Sequence, residues 1–144
     1  MTATLTDAPA QVRLRLDPAA TRKTVLDGAW WPRTSDPATE VPALIEALGT
    51  GRGEITHAML HGPDWDQPHP RRITAGGRGV RMGWFTAQPS GLLTMITEFG
   101  RDRFDLFVVP VDATEAQAEQ AMTAAADPAD LRRSPELLEQ LHQS

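Results

Sequence analysis

Arg71-Arg72-Ile73-Thr74-Ala75-Gly76-Gly77-Arg78-Gly79-Val80-Arg81-Met82-Gly83-Trp84-Phe85 reads as two strands joined by a tight turn. A Gly-Gly pair between two strand-like segments is a hairpin signal, because glycine reaches the positive-φ conformations that a two-residue turn requires. In the second arm, Val80, Met82 and Trp84 share one face and Arg81, Gly83 and Phe85 the other. After a turn at Gln88 to Gly91, Leu92 to Phe99 and Arg103 to Val109 repeat the pattern around Gly100-Arg101-Asp102. Upstream, Glu54 to Leu60 looks like a strand. Val12, Leu14 and Leu16 alternate with Arg13 and Arg15 until Asp17-Pro18 ends the run, and Val25-Leu26 begins a short second strand.

Helical periodicity occurs in three places. Val41, Leu44, Ile45 and Leu48 fall on one face, with Gly49 and Gly51 as the stop. Asp36 caps an irregular first turn containing Pro37, and Pro42 places the start of the regular helix near residue 41 or 42. Thr114 and Gln117 form a capping box that opens a helix over 115–126, with a shallow face of Ala118, Ala121, Met122 and Ala125. Ser134-Pro135-Glu136 begins a last short helix with Leu138 and Leu141 as its stripe. Tight connections imply antiparallel pairing, and such a sheet needs helices on one side only. The expected fold class is α+β, a mainly antiparallel sheet of about five to six strands with helices packed on one face.

The chain has 144 residues, enough for one domain with a core of its own. The expected division is a flexible N-terminal tail at 1–10, a single α+β domain at 11–126 and a C-terminal extension with a short helix at 127–144. No apolar run has the length of a membrane span, and residues 1–10 lack the layout of a secretory signal. With no cysteine, thiolate nucleophiles, disulfides and thiolate zinc sites are excluded. The expected compartment is the cytoplasm. A net charge of −5 argues against a nucleic-acid binder, which needs a dominant positive surface. Arginine supplies all but one of the 14 basic residues, a pattern that GC-rich coding bias produces without functional selection.

Candidate function centres on Leu26-Asp27-Gly28-Ala29-Trp30-Trp31-Pro32-Arg33-Thr34-Ser35-Asp36. Adjacent indoles on an extended chain point to opposite faces, so at most one enters a core directly. One reading is a hydrophobic plug in which Arg33 and Asp36 pair; the other is a binding surface where an indole stacks on a ligand and Arg33 grips an anion. An aromatic residue before Pro32 also favours a cis peptide at that bond. Together with Gly76-Gly77-Arg78, Arg81-Met82-Gly83-Trp84-Phe85 and the Ala-rich helix bearing Ala121-Met122, this segment resembles a family of small actinobacterial proteins of unknown function. The resemblance spans residues 11 to 126 and implies one compact domain; it implies no activity.

Arg71, Arg72, Arg78 and Arg81 form an acid-free basic hairpin, which reads either as an anion-binding patch or as a charged edge that discourages aggregation. His57, His61, Asp64, Asp66 and His69 offer metal-ligand chemistry, but prolines spread them along a loop and no metal ligand is assigned. No nucleophile elbow is present, and Ser35, Ser90 and Ser134 sit in turn or cap settings. No catalytic residue is assigned, and no cofactor is expected. The leading reading is a non-enzymatic binding or regulatory module that uses Trp30, Trp31, Arg33, Asp36, Trp65, Arg78, Arg81 and Trp84 to engage a protein partner or to self-associate. Nucleic acid and membrane are not expected partners. The alternatives are a small-molecule-binding domain for an anionic or aromatic metabolite and, third, a metal-dependent hydrolase.

Overall fold

Gly76 and Gly77 turn the chain with φ of 59° and 79°, the left-handed pair that a tight hairpin requires. They join β4 (Arg72–Ala75) to β5 (Arg78–Phe85) with Ala75 opposite Arg78. We describe residues 12–16, 26–49, 53–98, 102–127 and 133–143 of a computed structural model. The expectations for the 1–10 tail, Val25, Gly51, Gly100-Arg101 and Pro128 lie outside the described residues. The remaining strands are β1 (Leu14–Leu16), β2 (Gly28–Trp30), β3 (Ile55–His61), β6 (Leu92–Thr97) and β7 (Arg103–Val108). They form one sheet in the order β1-β2-β7-β6-β3-β5-β4.

This sheet corrects the expected architecture: among the described residues it has seven strands and is mixed, with β2 parallel to β7 and β3 parallel to β5. Turn chemistry specifies only the two arms that a turn joins. The long segment after β3 carries the chain outward, so that β4 takes the edge and β5 returns beside β3 in the same direction. At the other end, β2 pairs with β1 and is inserted against β7, a partner 78 residues distant at Gly28–Leu106.

Helices also lie on both faces rather than one. Leu106 and Phe107, adjacent on β7, belong to different apolar clusters, as strand alternation requires. On the first face, α1 (Pro37–Leu48) brings Val41, Leu44 and Ile45 against Leu60, Ala75, Leu93 and Leu106. On the second, α2 (Glu115–Ala125) and α3 (Ser134–Gln143) cover Ala29, Phe107 and Val109. Among the described side chains of α3, Leu137 and Leu141 are the buried leucines and Ser134 is buried at its start, while Leu138 is half-buried.

α1 begins at Pro37, earlier than the regular start expected from Pro42, which lies inside it. Asp36 makes this possible. Its carboxylate accepts from the Ala38 amide at 3.3 Å and the Thr39 hydroxyl at 2.6 Å, and its carbonyl accepts from the Glu40 amide at 3.0 Å. Pro42 deprives only the carbonyl four residues earlier, on Ala38, which is exposed and open to water. In α2 the capping box is complete: the Gln117 amide donates to Thr114 Oγ1 at 3.1 Å, and the Thr114 amide donates to Gln117 Oε1 at 2.9 Å. Thr114→Ala is expected to cost about 1 kcal/mol, read as a lowered midpoint in urea at unchanged slope.

Candidate functional site

β2, β3, β5 and β7 all run in one direction, since β2 is parallel to β7, β7 and β3 are each antiparallel to β6, and β5 is parallel to β3. Their carboxyl ends therefore share one end of the sheet, and the segments 31–36, 62–71, 86–91 and 109–114 gather there. Hydrogen bonds brace these segments to one another. Asp64 accepts from the Ser90 hydroxyl and the Gly91 amide, both at 2.8 Å. The Asp66 amide donates to the Ser35 carbonyl at 2.9 Å, and the Val109 amide to the Trp30 carbonyl at 2.9 Å. Between them lies a crevice of about 400 Å³ whose lining includes Ser35, Asp64, Trp65, Val109, Asp112 and Leu138.

Each residue of Asp27 to Trp31 has a separate task. The Asp27 amide donates to the Asp105 carbonyl at 2.7 Å and its carboxylate accepts from the Asp105 amide at 2.8 Å, pinning β2 to β7. Gly28 lets β1 approach, and Ala29 packs in the cluster beneath α2. Trp30, 2% exposed, stacks on Trp65 with ring centroids 5.6 Å apart and planes at 23°. Trp31 turns the opposite way, as alternation demands. Its indole N–H donates to the Pro110 carbonyl at 3.1 Å, and the Arg13 guanidinium lies 3.7 Å over its ring centroid. The cis peptide falls at Gln67-Pro68, not at Trp31-Pro32.

Arg13 also donates to the Trp31 carbonyl from Nε at 3.1 Å and to the Pro32 carbonyl from Nη2 at 3.2 Å. Burial first, then the neighbouring Arg33 charge, lowers the Arg13 pKa. It remains a cation at neutral pH. Arg13, Arg15, Trp31, Arg33, Glu115 and Glu119 line a groove of about 670 Å³ between β1 and α2. One side is tethered: Arg15 donates to Glu119 at 2.7 Å and to the Thr123 hydroxyl at 2.8 Å. That bond lowers the Glu119 carboxyl and raises the Arg15 guanidinium.

The eight residues singled out in the sequence divide accordingly. Trp31 and Arg33 meet in the groove, while Trp30 and Trp65 meet in the core. Asp36 caps α1. Trp84 is half-buried, stacked on His69 at 4.2 Å, with its N–H on the Pro70 carbonyl at 2.8 Å. Arg78 bonds Glu54 on one side of β5. Arg81 is exposed on the other side, level with Arg72 and His57 on the neighbouring strands.

Among the described residues, no three His, Asp or Glu side chains gather as a metal-holding group. In the His57–His69 stretch, His57 bonds the Thr56 hydroxyl at 2.8 Å, His69 contacts the Trp65 carbonyl at 3.1 Å, and Asp64 holds the 86–91 segment. No described helix is long and apolar enough to cross a membrane.

Sequence reasoning missed Arg13 and the crevice residues Ser35, Ser90 and Asp112. Arg13 left a signal: its alternation with Val12 and Leu14 sets it on the side opposite Leu14, and Leu14 pairs with Trp30. The crevice left none, because four distant segments build it.

Fold and site together define a small α+β domain with ligand-sized depressions on either side of a double-tryptophan turn. A model of a family of unknown function (DUF5994) matches residues 13–125, and the chain belongs to that family. Neither the curated proteins nor the solved structures contain a match.

Proposed function

We propose that the chain is a non-catalytic binding module that engages an acidic segment of a protein partner in the Trp31–Arg13–Arg33 groove. The observation that carries this reading is the Arg13 guanidinium 3.7 Å over the half-buried Trp31 ring, in an open groove that Arg33 also lines. Tryptophan and arginine together are the residue types in which binding energy concentrates. A planar guanidinium already oriented by two carbonyls offers its remaining N–H groups to a carboxylate at little entropic cost. Support for a non-catalytic role comes from where the acid and imidazole groups are used. Asp27 and Asp64 hold backbone, Asp36 caps a helix and His69 packs under Trp84. The partner can be a second copy, since the chain carries 19 acidic residues against 14 basic ones. An actinobacterial origin and a cytoplasmic setting complete the reading, supported by the arginine-for-lysine bias and the absence of cysteine.

The test is tryptophan fluorescence against a glutamate-rich decapeptide at low salt, with light scattering for self-association. Saturable quenching that weakens with added salt is expected. Arg33→Glu is expected to reduce the affinity at least about tenfold, which is about 1.4 kcal/mol. A monomer that shows no saturable response to the peptide sinks the proposal.

A further inference from the structure

We infer a second ligand site in the crevice at the carboxyl ends of β2, β3, β5 and β7, taking a compact ligand with an apolar body and a protonated amine. Three observations lead there. The first is position: in sheets with parallel strands, ligands collect outside the carboxyl ends, where successive segments converge without blocking one another. Here the segments after all four co-directional strands contribute lining residues. Their cross-bracing through Asp64 and through the Asp66–Ser35 bond sets the shape before any ligand arrives.

The second is size and wall chemistry. At about 400 Å³ the crevice falls toward the small end of the roughly 300–1,000 Å³ typical of ligand pockets. Trp65, Pro110, Val111 and Leu138 give it apolar sides on which a ring or short hydrocarbon body can rest.

The third is charge. Among the described residues, no lysine, arginine or histidine lines the crevice, whereas Asp64 and Asp112 do, with the hydroxyls of Thr34, Ser35 and Ser90. An ionised carboxylate only accepts hydrogen bonds. The two oxygens of Asp64 already receive Ser90 and Gly91, which fixes their orientation and leaves lone pairs for a further donor. Asp112 stands exposed at the rim. A ligand carboxylate or phosphate entering here meets like charge, and an ammonium group meets acceptors. The selectivity is therefore opposite to that of the arginine groove across the double-tryptophan turn.

The experiment titrates 2-phenylethylamine and phenylacetate, which share a ring and differ in charge sign, into the full chain by calorimetry. The amine is expected to bind saturably in the millimolar range or tighter, and the acid at least about tenfold more weakly. Asp112→Asn, a change at an exposed rim position, is expected to weaken the amine about tenfold while leaving the thermal midpoint in place. Arg33→Glu is expected to leave amine binding unchanged, so that loss of peptide binding in the groove and loss of amine binding in the crevice are told apart. Equal binding of the two probes, no saturable heat with the amine, or an Asp112→Asn protein that binds it as well as wild type overturns the inference.

Discussion

Trp30→Ala is expected to destabilise the domain by about 3–5 kcal/mol, the range for truncating a buried aromatic residue. Trp30 is 2% exposed, lies between β1 and β7 on the α1 face, and stacks on Trp65. A buried indole removes about 150–250 Å² from water, and an aromatic pair adds about 0.5–1.5 kcal/mol beyond that area. Against a total stability of about 5–15 kcal/mol, the loss is a large fraction. Thermal unfolding followed by circular dichroism is the measurement, with a fall of about 12–20 °C expected at about 4 °C per kcal/mol. Trp31→Ala, at a half-buried ring, is expected to cost less than half as much. If the two substitutions cost the same, or Trp31→Ala costs more, the assignment of Trp30 to the core and Trp31 to the groove fails. A Trp30→Ala/Trp65→Ala double-mutant cycle isolates the stacking contribution, because the two rings touch and their single effects should not add.

That two neighbouring indoles take opposite faces was legible from chain geometry alone; which of them is enclosed was not. Enclosure depends on α1 and on Trp65, which are distant in sequence or on other elements and meet Trp30 only through the tertiary fold. The same division runs through the fold. The Gly76-Gly77 hairpin, the Val41–Leu44–Ile45 face and the Thr114–Gln117 box are each written within a few residues, and each is present. The parallel pairings have no comparable local signature. β2 has three residues, too few for alternation to register, and its place beside β7 depends on which sheet edge is vacant. One signal for the second helical layer was available. Leu106-Phe107-Val108-Val109 is apolar without alternation, as a strand covered on both sides should be.

The candidate site follows the same rule. Arg13, Trp31 and Arg33 become neighbours through the antiparallel β1–β2 pair, so their grouping could be inferred once that pairing is granted. Arg78 and Arg81 stand three apart on one strand, so alternation alone divides them between its sides, and they lie so, Arg78 toward Glu54 and Arg81 beside Arg72. Ser35, Asp64, Ser90 and Asp112 converge from four turns, and convergence of turns is a property of strand direction. Direction was the part of the topology that local patterns did not carry.

Among the described glycines, Gly28→Ala is expected to be the most damaging substitution, at about 3 kcal/mol, the upper end of the usual cost of overpacking. A Cβ placed on Gly28 would stand 2.1 Å from the Arg15 carbonyl oxygen and 2.8 Å from the Leu16 Cα. Both are backbone atoms of the paired strand, so no rotamer change relieves the overlap. β1 has to separate from β2 instead. With it go the Arg15–Glu119 tether, the Trp31 amide's bond to the Arg13 carbonyl at 2.9 Å and the Arg13 guanidinium over the Trp31 ring. The damage is therefore local as well as global. Hydrogen exchange at the Trp31 amide is expected to lose its protection, and peptide binding in the groove to fall with it. Amine binding in the crevice should persist, because no residue of β1 lines it. A Gly28→Ala protein with an unchanged midpoint and a still-protected Trp31 amide would show that β1 and β2 do not meet this closely, and the groove would lose the strand that supplies Arg13.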